Sequence, residues 1–272
     1  MYYDIHGNPL SEVYDIHGNT IWRAAPLLPT RQYILHGAAT VRPSNSMLLF
    51  EYGYEQGYRF VEADIFITAD GIPVLSHDAT INARARNEDG TALAETVAIE
   101  ETTYEELLQY DFGLVYTKKY PGTRIATLAQ LLDFCREHDM LFMADVKWMS
   151  RSDMVSIVYN TVKSHGMLDK TVWCMPTNAA MTELTGMDSN LMIEVEGNVA
   201  SGLAWKSRAR AVFIGSSSYW TVFTAEMAAQ AHAQGFYLNA WTVNNQESAD
   251  ALWANGCDFI TTNELLNSSI PS

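Results

Sequence analysis

Positive charge is scarce in this chain: 17 lysines and arginines stand against 32 aspartates and glutamates, a formal net charge of −15 over 272 residues. An acidic surface repels nucleic acid and the anionic face of a membrane, so neither is expected as a partner. It also repels an anionic substrate at long range, so phosphate chemistry here would need a local cation. Cysteine is scarce too. Cys135, Cys174 and Cys257 lie far apart and form no Cys-x-x-Cys pair. That argues against a disulfide framework or a zinc cluster and leaves buried structural thiols as the expectation. Also missing is any apolar run approaching about 20 residues, the length a membrane-spanning helix needs. After Met1-Tyr2-Tyr3-Asp4 no basic stretch leads into an apolar one, as a secretory leader would require. The chain reads as cytoplasmic, without stable membrane insertion, although a leader removed by processing would leave no trace in it.

What is present argues for a folded enzyme-sized unit. Hydrophobic residues make up 48% of the chain and aromatics 11%, against disorder. The length suits one large domain, such as a barrel of alternating strands and helices of about 250 residues. A short repeat opens the sequence: Tyr3-Asp4-Ile5-His6-Gly7-Asn8 returns as Tyr14-Asp15-Ile16-His17-Gly18-Asn19. Each Gly-Asn signals a tight turn between alternating apolar residues, which predicts a three-stranded meander. A meander this short must pack on the rest of the chain or on a partner, and self-association through it is left open. Its Asp-x-His pairs read as polar residues beside a turn. Pro26 and Pro29 bracket a linker, which divides the chain into a meander-plus-linker (1–30) and a main domain (31–272).

From Tyr33 onward, strand-like and helix-like runs alternate. Strands are expected at Tyr33–Leu35, Phe60–Ile67, Ile72–Leu75 running on to His77, Leu141–Val146, Thr171–Cys174, Leu191–Val195, Ala211–Ile214, Tyr237–Val243 and Cys257–Thr261. Helices are expected over Ser44–Glu55, Tyr104–Gln109, Met154–His165, Ala225–Gln234 and Gln246–Ala254. Another begins at Thr127, where Leu128, Leu131, Leu132 and Cys135 follow the i, i+3, i+4, i+7 spacing of a buried helix face. Gly166 suits the position just past a helix end. Residues 79–127 are polar and irregular. About eight strand–helix units result, and a closed (β/α)₈ barrel of the TIM type is the natural architecture.

In such a barrel, reactive groups sit where the strands end. Three ends here carry polar residues in unusual company. His36 closes an apolar strand; Glu62-Ala63-Asp64 places two carboxylates on one strand face; Asp145-Val146-Lys147 places an acid and a base on one face. His77-Asp78 follows the short strand after Asp70-Gly71. Three converging carboxylates with Lys147 as the one evident cation must protonate or take up a positive ion. All-oxygen ligation favours one hard divalent ion, Mg²⁺ or Ca²⁺. His138 and His165, near helix ends, and His232, on a helix face, read as solvated or capping residues. Trp241, taken alone, could belong to a barrel core, but a place at the site is favoured.

The motifs together are more specific. His36-Gly37, Pro43-x-Asn45, Glu62-x-Asp64, Asp70-Gly71 and Val74-Leu75-Ser76-His77-Asp78 occur in that order. They are followed by Ile125-Ala126-Thr127-Leu128, Trp241-Thr242-Val243-Asn244 and Gly256-Cys257-Asp258-Phe259-Ile260-Thr261-Thr262. This series resembles the glycerophosphodiester phosphodiesterase family over roughly residues 33–266. The resemblance implies a (β/α)₈ barrel with a small insertion after the second strand, similar to residues 79–127. It implies His36 and His77 as general acid and base, and Glu62, Asp64 and Asp145 as holders of one divalent cation. It further implies Lys147 as a phosphate contact, Trp241 as an aromatic wall, and a small glycerophosphodiester as substrate. Histidines titrating near neutral pH suit such a pair.

Three departures stand out. No arginine separates His36 from Gly37, Ser44 stands where the family carries glutamate, and Asp145 replaces the usual third glutamate. Loss of the arginine removes a bidentate phosphate clamp. An Asp-x-Lys without that arginine also resembles the phospholipase D toxins, which cleave sphingo- or lysophospholipids; the insertion and the Asp70-Gly71…His77-Asp78 run favour the glycerophosphodiesterase branch. A reading of another class is a barrel that binds ligand with weakened turnover, against which the intact acid/base and carboxylate set argues.

Overall fold

The computed structural model describes residues 8, 10, 12–14, 16, 20–23, 28–115, 119–217 and 219–270. Near the N-terminus β1 (Glu12–Tyr14) pairs antiparallel with β2 (Thr20–Arg23) in a two-stranded sheet of its own. The first strand of the expected meander, the turns at Gly7 and Gly18 and both Asp-x-His pairs lie outside the described residues.

The main sheet begins with β3 (Gln32–Leu35), followed by α1 (Met47–Glu55) and β4 (Phe60–Ile67). The chain then reverses through Asp70-Gly71 into β5 (Pro73–Leu75), which lies antiparallel on the far end of β4. After α2 (Tyr104–Leu107) and α3 (Leu128–Glu137) the alternation is regular. It runs through β6 (Leu141–Val146), α4 (Met154–Ser164), β7 (Thr171–Cys174), α5 (Asn178–Met187), β8 (Met192–Glu196), α6 (Val199–Trp205) and β9 (Ala211–Ser216). Two helices, α7 (Tyr219–Val222) and α8 (Ala225–His232), precede β10 (Tyr237–Ala240), and α9 (Gln246–Ala254) precedes β11 (Phe259–Thr262). Strands β3, β4, β6, β7, β8, β9, β10 and β11 pair in parallel in that order, and β11 returns to β3. The result is a closed eight-stranded parallel barrel with helices between strands, as the alternation predicts.

Alternation along each strand decides what faces inward. Ile34, Phe60, Met143, Val172, Met192, Ala211, Phe213 and Phe259 form one apolar cluster inside the barrel. Their neighbours in sequence, such as Tyr33, Val61, Ala144, Trp173 and Ile193, belong to the larger core between sheet and helices. Since side chains repeat every second residue, the next inward positions above the apolar plug are Glu62, Asp64, Asp145, Cys174, Glu194 and Asn239. The barrel is therefore filled with hydrocarbon below and lined with polar groups above.

Local chemistry explains why the elements start and stop where they do. α3 opens on a reciprocal cap: Thr127 Oγ1 accepts from the Gln130 N–H (3.2 Å), and Gln130 Oε1 accepts from the Thr127 N–H (2.9 Å). Its buried residues are Leu128, Leu131, Leu132 and Cys135, the stripe that the spacing predicts. α4 ends at Ser164 with His165 as its cap, and Gly166 follows with φ +71°. Elsewhere the boundaries move. α1 starts at Met47 rather than Ser44 because Pro43, Ser44 and Asn45 build a loop instead, and Ser46 caps the helix. β10 stops at Ala240, so Trp241 lies beyond the strand on the barrel rim.

Candidate active site

The polar upper layer opens into a cavity of about 480 Å³ whose lining includes His36, Glu62, Asp64, His77, Asp145, Lys147 and Trp241. All seven candidate residues read from the sequence thus meet in one place. The volume suits a small molecule. A larger hollow, about 670 Å³, lies at the opposite end of the barrel, lined by Arg31, Arg59 and Lys170 among others. None of the seven candidate residues reaches it.

Strand register assembles the acidic group. Asp64 on β4 pairs directly with Asp145 on β6, and Glu62 stands two residues before Asp64 on the same inward face. One carboxylate oxygen from each of the three lies within 4.8 Å of the others. Glu62 is buried; its Oε2 accepts the Gly37 N–H (2.8 Å), while its Oε1 is buried without a hydrogen-bond partner. Asp64, also buried, accepts from Asn45 Nδ2 (2.8 Å). Lys147 Nζ lies 2.6 Å from Asp64 Oδ1 and 2.8 Å from Asp145 Oδ2, bridging the two acids. Burial, reinforced by Asp64 and Asp145, pushes the Glu62 carboxyl well above its usual value. Burial also raises Asp145, with Lys147 opposing. Burial works against the Lys147 charge, but Asp64 and Asp145 outweigh it and hold the ammonium above its usual range.

The cavity carries more acid than one lysine compensates, and one of those acids, Glu62, has a buried oxygen without a hydrogen-bond partner. Both observations suit a hard divalent cation in contact with Glu62, Asp64 and Asp145. Asp is a shorter ligand than the expected Glu, but its direct register with Asp64 brings Asp145 within reach.

The two histidines are held differently. His36 lies just past β3, and its Nδ1 is 2.7 Å from Asn263 Oδ1; since an amide oxygen only accepts, Nδ1 carries the proton and Nε2 is presented as an acceptor. His36 Nε2 lies 3.9 Å from Glu62 Oε2. Asn263 is itself placed by Asn244, whose Oδ1 accepts the Asn263 N–H (2.8 Å). His77 lies past β5, and its Nδ1 is 2.9 Å from Asp78 Oδ1, a carboxylate that also accepts from Arg84 Nε (3.1 Å). Burial works to raise Asp78, yet the bonds from His77 and Arg84 prevail and leave its carboxyl below the usual value.

Several motif residues gain a physical reason. Asn45 sits at φ +51°, a left-handed conformation that asparagine tolerates better than most residues. There its side chain both donates to Asp64 and accepts the Asp64 N–H (3.2 Å), while its own N–H binds Gly37 O (2.7 Å). Gly37 is needed because a Cβ there would lie 2.6 Å from Asn45 Oδ1, 2.8 Å from Glu62 O and 3.0 Å from Ala63 Cα. Asp258 accepts the Leu238 N–H and a bond from His232 Nε2, both at 2.8 Å, so His232 braces a strand end. His165 binds Asp133 (2.9 Å), and His138 packs on Tyr54 and Phe134.

One expectation is corrected. Cys135 and Cys257 are buried thiols, but Cys174 is part-exposed and lines the cavity, because it occupies an inward position above the plug. The residue is part-exposed, but its sulfur is surrounded by protein, and that desolvation together with the nearby Glu194 holds the thiol well above the usual range.

Four further lining or bracing residues went unread in the sequence: Glu194, Glu196, Asn239 and Asn263. Glu194-x-Glu196 has the same alternation at a strand end as Glu62-x-Asp64 and was open to the same argument. Asn263, one residue past the last strand, carries no such signal.

Comparison with known proteins gives a consistent picture. Residues 36–266 match the model of the glycerophosphoryl diester phosphodiesterase family. A glycerophosphodiester phosphodiesterase of Caldanaerobacter subterraneus is 21% identical over 82% of this chain and 89% of its own length. A Silicibacter pomeroyi crystal structure with the same family description superposes with a TM-score of 0.74 at 25% identity, covering 87% of this chain and 91% of that one. An Oleispira antarctica phosphodiesterase, solved in complex with the product sn-glycerol-3-phosphate, superposes with a TM-score of 0.75 at 19% identity, covering 89% and 98%.

Proposed function

The chain belongs to the glycerophosphoryl diester phosphodiesterase family, and from that premise we propose that it hydrolyses small glycerophosphodiesters to sn-glycerol 3-phosphate and an alcohol. The reading has His36 and His77 moving protons and Glu62, Asp64 and Asp145 holding one divalent ion, Mg²⁺ or Ca²⁺. The observation that carries it is the meeting of two histidines, three carboxylates and Lys147 in a single cavity at the barrel mouth. No helix among the described residues is long and apolar enough to cross a membrane.

Each side chain has a task in this reading. His36, with Nδ1–H tied to the Asn263 amide oxygen, offers Nε2 to accept the proton of the attacking hydroxyl. His77, with Nδ1 on the Asp78 carboxylate, has a partner that compensates the charge of a proton-donating ring, so it delivers a proton to the departing alcohol oxygen. Lys147 lends a positive charge to the non-bridging phosphoryl oxygens. A divalent ion, when bound, polarises those oxygens and lowers the pKa of an attacking hydroxyl. Trp241 walls the cavity beside the substrate. In the same reading the chain divides into residues 1–30 and a barrel that begins near Arg31.

The test is an assay with added Mg²⁺ or Ca²⁺ on glycerophosphocholine and, separately, on lysophosphatidylcholine. Turnover of the first with release of glycerol 3-phosphate is expected. Preference for the lipid would favour a toxin-like activity, and binding of either without turnover would favour a ligand-binding barrel.

A further inference from the structure

The half of the cavity away from Lys147 has a composition of its own. In sheet register Asp64, Asp145, Cys174 and Glu194 form one row around the barrel wall, so Glu194 stands in the same inward layer, two strands beyond Asp145. It is only 9% exposed. Its Oε2 accepts from Asn239 Nδ2 (2.8 Å), and Asn239 Oδ1 in turn accepts from Thr261 Oγ1 (3.2 Å). These neutral partners fix the direction of the carboxyl group without supplying a positive charge.

The neighbouring strand makes room for it. A Cβ at Gly215 on β9 would lie 2.3 Å from Glu194 Oε1 and 2.9 Å from Trp241 Nε1. Any side chain there would displace both groups, so the glycine is what lets carboxylate and indole share that corner. Glu196, two residues along β8 and so on the same face, lines the same cavity from its exposed rim.

Charge then separates the two halves. Glu62, Asp64 and Asp145 have Lys147 and, in the proposed function, a divalent ion to balance them. Among the described residues lining the cavity Lys147 is the only lysine or arginine, and its hydrogen bonds go to Asp64 and Asp145. Glu194 and Glu196 are left as a pair of acids beside a tryptophan. A phosphate or a second anion is repelled there by Glu196, whereas an ammonium group is attracted by Glu196, by the indole ring and by Glu194 once it ionises. We propose that Glu194 is a specificity-determining residue: with Glu196 and Trp241 it receives a positively charged ammonium group on the alcohol half of the diester. The protein therefore selects esters of amino alcohols over uncharged alcohols of the same size. This inference rests on the proposed phosphodiesterase reading for which bond is cut, but the recognition is that of a cation alone. Burial, aided by Asp145 and Glu196 and opposed by the Asn239 bond, raises the Glu194 carboxyl to about 8. Near neutral pH the group on its own is therefore mostly protonated, and an ammonium in contact favours the ionised form and draws the proton off.

The experiment compares kcat/KM for glycerophosphocholine with that for the glycerol phosphodiester of 3,3-dimethylbutanol, which keeps the shape and replaces nitrogen by carbon. A preference of about tenfold or more for the cation is expected, the scale of a desolvated cation–aromatic and carboxylate contact. In Glu194→Gln the ratio should fall to about twofold or less. In Glu196→Gln, an exposed change that does not threaten folding, it should fall part of the way. A wild-type ratio near one, or a ratio unchanged in both variants, overturns the proposal. If neither diester is cut, the hydrolytic reading fails by itself, and the subsite is judged by calorimetric binding of choline against 3,3-dimethyl-1-butanol. Tighter choline binding that is lost in Glu194→Gln supports it, and equal affinities overturn it.

Discussion

His36 and His77 look equivalent in the sequence, yet the atoms behind them differ: an amide oxygen behind one ring, a carboxylate with its own arginine behind the other. Replacing either histidine by alanine is expected to lower kcat by about 10²–10⁴, the usual worth of a positioned acid or base. The pH–rate profile should be bell-shaped, and a variant near the parent rate, or a monotonic profile, would show a role misassigned. Lys147→Met should cost about 2–3 kcal/mol in kcat/KM, the scale of one charge-assisted contact in a dry site. If steady-state kinetics show no loss, some other group holds the phosphate. Glu194 gives a prediction that needs no substrate. Its carboxyl lies at about 8 in the folded chain, against roughly 4.3 when unfolded. Between those values the folded state keeps a proton that the unfolded state has lost, so this group's contribution to stability falls as pH rises across that window and is level below it. Glu194→Gln removes this slope. The melting temperature of the variant minus that of the parent, measured in chelator from pH 5 to 8, should increase with pH, and a flat difference would contradict the assignment.

Strands and loops impose tighter limits than the side chains they carry. The loop after β3 touches β4 so closely that Gly37→Ala would press a Cβ on backbone atoms of Glu62 and Ala63 and on the Asn45 side chain. Overpacking of this kind costs about 1–3 kcal/mol. It should also disturb the Gly37 N–H bond to Glu62, so both thermal stability and metal-dependent activity are expected to drop; an unchanged melting curve would mean the loop yields freely. At this scale the sequence was most informative where period and caps agreed. The α3 stripe and its Thr127 cap were legible because a 3.6-residue period, a capping threonine and Gln130 all point to one helix start. The strand pair Glu62-x-Asp64 was legible because alternation puts both on one face. Asn263 was not, since its partner His36 is 227 positions away and nothing local marks it. Nor was the inward turn of Cys174, which depends on barrel register rather than on its own neighbours.

Across the whole molecule, the closed barrel followed from counting alternating units, and it is closure that brings β3, β4, β6 and β10 residues to one mouth. The net charge of −15 sets the electrostatic problem that the site must solve: an anionic diester must reach a cavity already lined by Glu62, Asp64, Asp145, Glu194 and Glu196. Lys147 alone does not balance these acids even with Glu194 holding its proton, and so the account depends on a bound divalent ion. The most direct measurement follows glycerophosphocholine by phosphorus NMR with protein stripped by a chelator, then resupplied with Mg²⁺ or Ca²⁺. The account predicts no turnover in the stripped protein and restored conversion to glycerol 3-phosphate with one of the two ions. Hydrolysis undiminished by exhaustive chelation, or none with either ion present, would contradict it.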